Sequence, residues 1–276
     1  MDYLSFQPDF TSPDAVAAYD ELPLWSAMFG LLLLRHVPLR HGMAVLDLGC
    51  GTGFPLFELA QRLGPTSTVH GLDPWKPALE RARFKARVWN VTNVAIHEGS
   101  AEAMPFAAGT FDLIVSNLGL NNFEHPEAAL AECRRVAKPE ARLVLTTNLR
   151  GHMQELYEVY AETLRQLGRE ESLPALAKHV DHRASVESLT DLLETNGFRI
   201  THVHQDEETM RFLDGSALLR HYFIQLGFLD GWKGVIDPAA HQAVFAALEE
   251  NLNRWAEAHD GLALTIPMAY VEAERE

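Results

Sequence analysis

Cysteine is nearly missing: Cys50 and Cys133 are the two in 276 residues. Two thiols exclude a disulfide framework and a cysteine-rich zinc site, and predict reduced thiols in a cytosolic protein. Positive charge is short as well. Lysine and arginine number 23 against 38 aspartates and glutamates, a formal net charge of −15. Such a chain matches a phosphate backbone poorly, so nucleic acid is not an expected partner. The basic run Arg81, Arg83, Lys85 and Arg87 reads as a solvated helix face. Long apolar runs are absent. The longest, "LWSAMFGLLLL", is too short to span a bilayer, and no basic segment precedes an apolar stretch after Met1. The expectation is a soluble, cytoplasmic protein with no targeting segment and no membrane partner. Internal repeats and low-complexity segments are missing too, and nothing fixes the oligomeric state.

What is present is a core. The composition is 47% hydrophobic, enough for one large α/β domain with or without a cap. Residues 12–36 read as helical with a break at Pro23. Short apolar runs then alternate with helical stretches. The strands are "MAVLDLG", "STVHGLD", "VAIHEG", "FDLIVSN" and "ARLVLTTN"; the helices cover about 54–63, 75–90 and 125–137. This alternation predicts βαβ units and an open, mostly parallel sheet with helices on both faces. After residue 150 the pattern changes. Helices are expected near 153–167, 185–197, 215–229 and 238–258, with "FRITHVHQ", "ETMRFLD" and "LALTIPMAYV" alternating as strands. Two mainly helical inserts, 151–183 and 215–258, are expected to cap a site within one domain spanning 1–276.

The segment "VLDLGCGTGF" carries the chemistry. Gly49, Gly51 and Gly53 alternate after a strand, where a chain turns sharply or a ligand lies against bare backbone. The spacing is G-x-G-x-G. The dinucleotide fingerprint wants a sixth-position glycine or alanine where Phe54 stands, and no Gly-Lys-Ser/Thr follows as in a phosphate loop. Asp47 stands just before the glycines. Asp73 ends the second strand about twenty residues after them, where a carboxylate suits two vicinal ribose hydroxyls. "GSAEAMPF" follows the third strand, and "SNLGLNN" ends the fourth.

Together "VLDLGCGTGF", "GLDPW", "EGSAEAMPF", "FDLIVSN" and "RVAKPEARLVLT" resemble the consecutive motifs of the class I S-adenosylmethionine-dependent methyltransferases, in the group that includes quinone-ring methyltransferases. The resemblance covers residues 40–148, the cofactor-binding core. It implies a Rossmann-like, doubly wound, seven-stranded sheet with S-adenosylmethionine as cofactor. It places Asp47 near the methionine amino group, with Gly49, Gly51 and Gly53 against the amino-acid part. Asp73 takes the ribose hydroxyls, and Pro74 and Trp75 flank the adenine. Ser100, Ala101 and Glu102 lie at the adenine edge, and the Asn117 carbonyl accepts from the ammonium. Many relatives carry an acid where Ser100 stands, which leaves Glu102 as the acid at hand. Tyr19 corresponds to an N-terminal tyrosine that relatives close over the cofactor.

The implied activity is in-line methyl transfer to a small-molecule acceptor. The alternatives are a non-catalytic S-adenosylmethionine-binding module and a dinucleotide-binding oxidoreductase. A sulfonium methyl group is already activated, so positioning supplies much of the rate and no catalytic residue need be visible. Oxygen and carbon acceptors also want a base. His221 and Tyr222 are candidates for it, and Asn121 for orienting a polar group. His202 with His204, and His179 with Asp181 and His182, lack a further ligand at metal spacing, so no metal site is expected.

Overall fold

In the computed structural model, which describes residues 2–22 and 24–276, α1 (Pro13–Asp20) starts with Pro13 in its first turn and the Ser12 side chain as its cap. It is followed by α2 (Leu24–His36). Pro23, where the break is expected, lies outside the described residues. β1 (Ala44–Leu48), β2 (Thr68–Asp73), β3 (Val94–Glu98), β4 (Phe111–Asn117) and β5 (Ala137–Asn148) alternate with α3 (Leu56–Leu63), α4 (Lys76–Val88) and α5 (Pro126–Val136). β1 and β4 are buried along nearly their whole length, as strands covered on both faces must be.

Beyond β5 the chain forms α6 (Gln154–Gln166), α7 (Leu173–Asp181), α8 (Val186–Thr195) and β6 (Phe198–Phe212). It continues as α9 (Gly215–Arg220), α10 (Tyr222–Gly227), α11 (Leu229–Lys233), α12 (His241–His259) and β7 (Leu262–Arg275). Three expectations are corrected here. The two expected strands across 198–214 are one strand, since nothing between them forces a turn. The helix expected over 215–229 is broken: His221 is extended and Phe228 leaves helical geometry, giving three short helices. α7 was not expected; Pro174 starts it and only Leu176 is fully buried, so its periodicity is faint.

The seven strands run in the order β3-β2-β1-β4-β5-β7-β6, and the pairs from β3 to β5 are parallel. Helices flank both faces. The order reverses at β1, between β2 and β4, the place where open α/β sheets bind ligands.

The fold divides into two compact units. One comprises Phe10–Thr147, Ser185–Asp206 and Met268–Glu276; the other comprises Met1–Asp9, Asn148–Ala184 and Glu207–Pro267. The second unit is mainly helical, with its own core. Trp232 is fully buried there; its carbonyl accepts from the Tyr160 hydroxyl at 3.0 Å, and its indole N–H donates to the Tyr157 hydroxyl at 3.2 Å.

In the first unit, α1 is fixed to α4 by charge. Asp20 meets Lys85 at 2.6 Å and Arg81 at 2.8 Å, and its side chain also bonds Thr52 of the glycine loop. Burial pushes the Asp20 carboxyl up, but these partners outweigh it and hold the group below the ordinary carboxylate range. A lowered carboxyl stabilises the fold above its unfolded value and loses that contribution as pH falls through the folded value. Asp20→Ala should therefore cost about 1–3 kcal/mol in urea unfolding at pH 7. The gap between variant and wild type should narrow below pH 4; a gap independent of pH would remove the charge network as its source.

Candidate functional site

β1 ends at Leu48, and the chain turns at once through Gly49, Cys50, Gly51, Thr52 and Gly53 into α3. The first turn is pinned by the Gly49 N–H donating to the Leu72 carbonyl at 2.8 Å. Gly51 has φ +49, and a Cβ built on it meets nothing within 4 Å. A side chain there would therefore point into open space. Phe54 packs on α2: a Cβ on Gly30 would fall 2.1 Å from the Phe54 ring.

Asp73, at the end of β2, organises this loop. One of its oxygens accepts from the Gly51 N–H and the other from the Trp75 N–H, each at 2.8 Å. A carboxylate has about four acceptor positions, so two remain. Burial raises its pKa while these two backbone donors lower it, and the net direction is upward.

Asp47 lies near Asp73 on the neighbouring strand and has no exposed surface. Neither of its oxygens makes a well-formed hydrogen bond among the described residues. Burial, then the charge of Asp73, lifts its carboxyl to about 8, and the Leu56 N–H offsets only part of this. A buried carboxylate without a partner is costly.

Aromatic edges gather beside Asp73. The rings of Tyr19 and Trp75 meet edge-on at 5.2 Å, and those of Phe10 and Trp75 at 5.8 Å. The Trp75 indole N–H donates to the Phe10 carbonyl at 2.9 Å. Burial raises the Tyr19 hydroxyl, and the charges of Asp73 and Asp20 add to this. Pro74 is exposed beside them.

The loop after β3 is joined to β2 by the Gly99 N–H donating to the Asp73 carbonyl at 3.1 Å. Within it, Ser100 and Glu102 bond each other, and Glu102 accepts from the His125 N–H at 3.0 Å. Ala101 is buried between them. Asn117 closes β4: its side chain donates to the Ser26 carbonyl at 3.0 Å and accepts from Thr146 at 2.7 Å.

The first unit thus holds Tyr19, Asp47, the three glycines, Asp73, Pro74, Trp75, Ser100, Ala101, Glu102 and Asn117. Asn121 belongs to it as well, accepting from the Thr147 hydroxyl at 2.5 Å. His221 and Tyr222 belong to the helical unit, where they meet the rings of Phe212 and Phe6 at 5.4 and 5.6 Å. Two residues that sequence reasoning missed are Asp20 and Thr52, which join α1 to the glycine loop. A signal existed: Arg81 and Lys85 sit four apart on one helix face, awaiting an acid.

The Methyltransferase domain family matches residues 39–205. The chain is 33% identical over 140 residues to the demethylmenaquinone methyltransferase of Lactococcus lactis, covering 51% of this chain and 54% of that protein. It is 33% identical over 172 residues to the ubiquinone/menaquinone biosynthesis C-methyltransferase UbiE of Shewanella pealeana, covering 58% of this chain and 67% of that one. It spans about half or less of the length of the first few curated relatives it matches. In fold, it resembles the YcgJ protein from Bacillus subtilis with a TM-score of 0.59, at 18% identity over 91% of this chain and 99% of that one. It also resembles a SAM-dependent methyltransferase from Aquifex aeolicus with a TM-score of 0.52, at 22% identity over 70% of this chain and 91% of that one. With the family match covering more than half of its length, the chain belongs to the class I S-adenosylmethionine-dependent methyltransferases.

Proposed function

We propose that this protein binds S-adenosylmethionine in the glycine loop and transfers its methyl group in line to a small-molecule acceptor. The observation that carries the reading is Asp47, a buried carboxyl without a well-formed hydrogen bond among the described residues, beside a glycine loop that Asp73 pins through the Gly51 N–H. The cofactor supplies a methyl group on a sulfonium, whose departure leaves a neutral thioether. This chain's residues bind and orient. Asp47 and the Asn117 carbonyl hold the ammonium end, and the backbone of Gly49, Gly51 and Gly53 receives the amino-acid part. The two open acceptor positions on Asp73 take the ribose hydroxyls. Pro74, Trp75 and Tyr19 flank the adenine, and Ser100, Ala101 and Glu102 meet its edge. His221 and Tyr222 are the proposed proton-handling groups, and Asn121 is the proposed polar guide for the acceptor.

A non-catalytic binding module is the second reading, and turnover with an identified acceptor separates it from the first. A dinucleotide oxidoreductase fits less well, because the Phe54 ring fills the space beside Gly30 where the fingerprint wants a small residue. Titration with S-adenosylhomocysteine and with NAD tests the main reading directly. Micromolar binding of the first and none of the second is expected; the reverse would overturn it.

Two substitutions sharpen that test. Asp73→Ala removes charge-assisted bonds worth about 1.5–3 kcal/mol each, so affinity for S-adenosylhomocysteine should fall at least tenfold with the fold intact. Gly51→Val puts a branched side chain at φ +49 and fills the open face, so binding should vanish while the circular dichroism of the folded chain remains. Normal affinity in either variant takes that residue out of the site.

Asp47 gives a pH prediction. Its carboxyl titrates near 8 in the folded chain, against about 4 when unfolded. An acid raised on folding favours the native state at low pH, and that contribution is lost as pH rises between these values. Asp47→Asn should accordingly stabilise the cofactor-free protein at pH 8, by an amount on the order of a few kcal/mol. It should also weaken cofactor binding. Calorimetry in buffers of differing ionisation enthalpy should detect a proton released when wild type binds S-adenosylhomocysteine at pH 7. Loss of stability in Asp47→Asn at pH 8, or binding without proton release, would show that Asp47 is already ionised and paired.

A further inference from the structure

Asp20 ends α1 and holds three groups at once. Its carboxylate meets Lys85 Nζ at 2.6 Å and Arg81 Nε at 2.8 Å on α4, and it accepts from the Thr52 hydroxyl in the glycine loop. The acid is almost wholly covered, with 9% of its side chain exposed, and Thr52 is buried between Gly51 and Gly53. Among the described residues neither cation has another acid at ion-pair distance.

α1 has little else to keep it in place. It is eight residues long, and Val16 is its one fully buried residue. A helix of that length is marginal in water, so its position depends on its contacts. On its N-terminal side the chain is tied by the Trp75 indole N–H donating to the Phe10 carbonyl, an exposed bond of 2.9 Å. An exposed neutral bond contributes little beside a covered, charge-assisted one.

The glycine loop has the same need. Gly51 and Gly53 sit at φ +49 and +104, where the backbone is free to move, and Thr52 offers the one side chain between them. Tyr19, next to Asp20, sets its ring edge-on to Trp75 at 5.2 Å, and the Trp75 N–H donates to Asp73 at 2.8 Å. Without the Asp20 charge, the covered Lys85 ammonium would stand beside the Arg81 guanidinium with no counter-charge. Hydration relieves that cost, and water reaches the pair when α1 moves off.

We propose that Asp20 is a positioning residue of the cofactor site: it seats α1, and with it Tyr19, on α4, and it fixes the glycine loop through Thr52. The inference rests on the methyl-transfer reading, in which Tyr19 and the loop meet the same ligand. Asp20 itself touches no part of that ligand in this reading. It acts by making α1 and the loop one cooperative element, so that whatever loosens the acid loosens both walls of the site together.

The test uses the full chain, with S-adenosylhomocysteine as the probe and amide hydrogen exchange of the ligand-free protein as a second readout. Asp20→Asn keeps the size of the side chain and removes its charge. Its affinity should fall roughly fivefold or more, the coupling expected within one network, and Asp20→Glu should recover part of the loss. In ligand-free Asp20→Asn, exchange should quicken across residues 10–20 and 49–53 and stay unchanged in β4 and β5. Thr52→Val cuts the loop bond and leaves the ion pairs, so exchange should quicken over 49–53 but not over 10–20. That variant keeps the test decisive if Asp20→Asn misfolds. Wild-type affinity in Asp20→Asn, exchange that quickens alike through the whole chain, or unchanged exchange over 49–53 in Thr52→Val would overturn the positioning role while cofactor binding stands. Failure of the wild type to bind S-adenosylhomocysteine would overturn the methyl-transfer reading, and the positioning role with it.

Discussion

The Asp73 carboxylate is the hinge pin of this structure. It stands at the end of β2, yet it takes the Gly51 N–H from the loop after β1 and the Trp75 N–H from the start of α4. Through Gly99, the exit of β3 is joined to the same residue's carbonyl. Three separate turns at the carboxyl edge of the sheet therefore depend on one side chain and its backbone. The glycines give the loop its freedom, and Asp73 selects one conformation from it.

Around that pin the first unit collects acids. Asp20, Asp47 and Asp73 sit close enough for their charges to couple to one another or to Tyr19. Of these three, among the described residues, only Asp20 is neutralised internally, by Lys85 and Arg81. The chain spends its nearby cations on the helix junction and leaves the two strand-end acids uncompensated. Such a site favours a cation by electrostatics alone, and burial amplifies the preference.

Much of this was legible in the residues because it is local. β1, β2 and β4 announce themselves as short apolar runs, and the glycine spacing separates this loop from the dinucleotide fingerprint. Asp47 and Asp73 are legible as strand-end acids. Their unequal hydrogen bonding is not, since it depends on which backbone amides the loop aims at each. The Asp20 network links residues more than sixty positions apart, and periodicity carries no information at that range. The break at His221 was hidden for a different reason: "LLRHYFIQLGF" has no glycine or proline where the helix stops, so tertiary packing overrides propensity there.

The contact between Phe54 and Gly30 ties the glycine loop to α2. The ring fills the space that a side chain at position 30 would need, so the two positions form a single steric choice. A larger residue on α2 demands a smaller one in the loop, and a glycine at 54 would leave a void beneath the helix. Exchanging the loop for one from a dinucleotide-binding protein would therefore unseat α2 before any question of ligand preference arose. α2 and the glycine loop thus form a sterically matched pair.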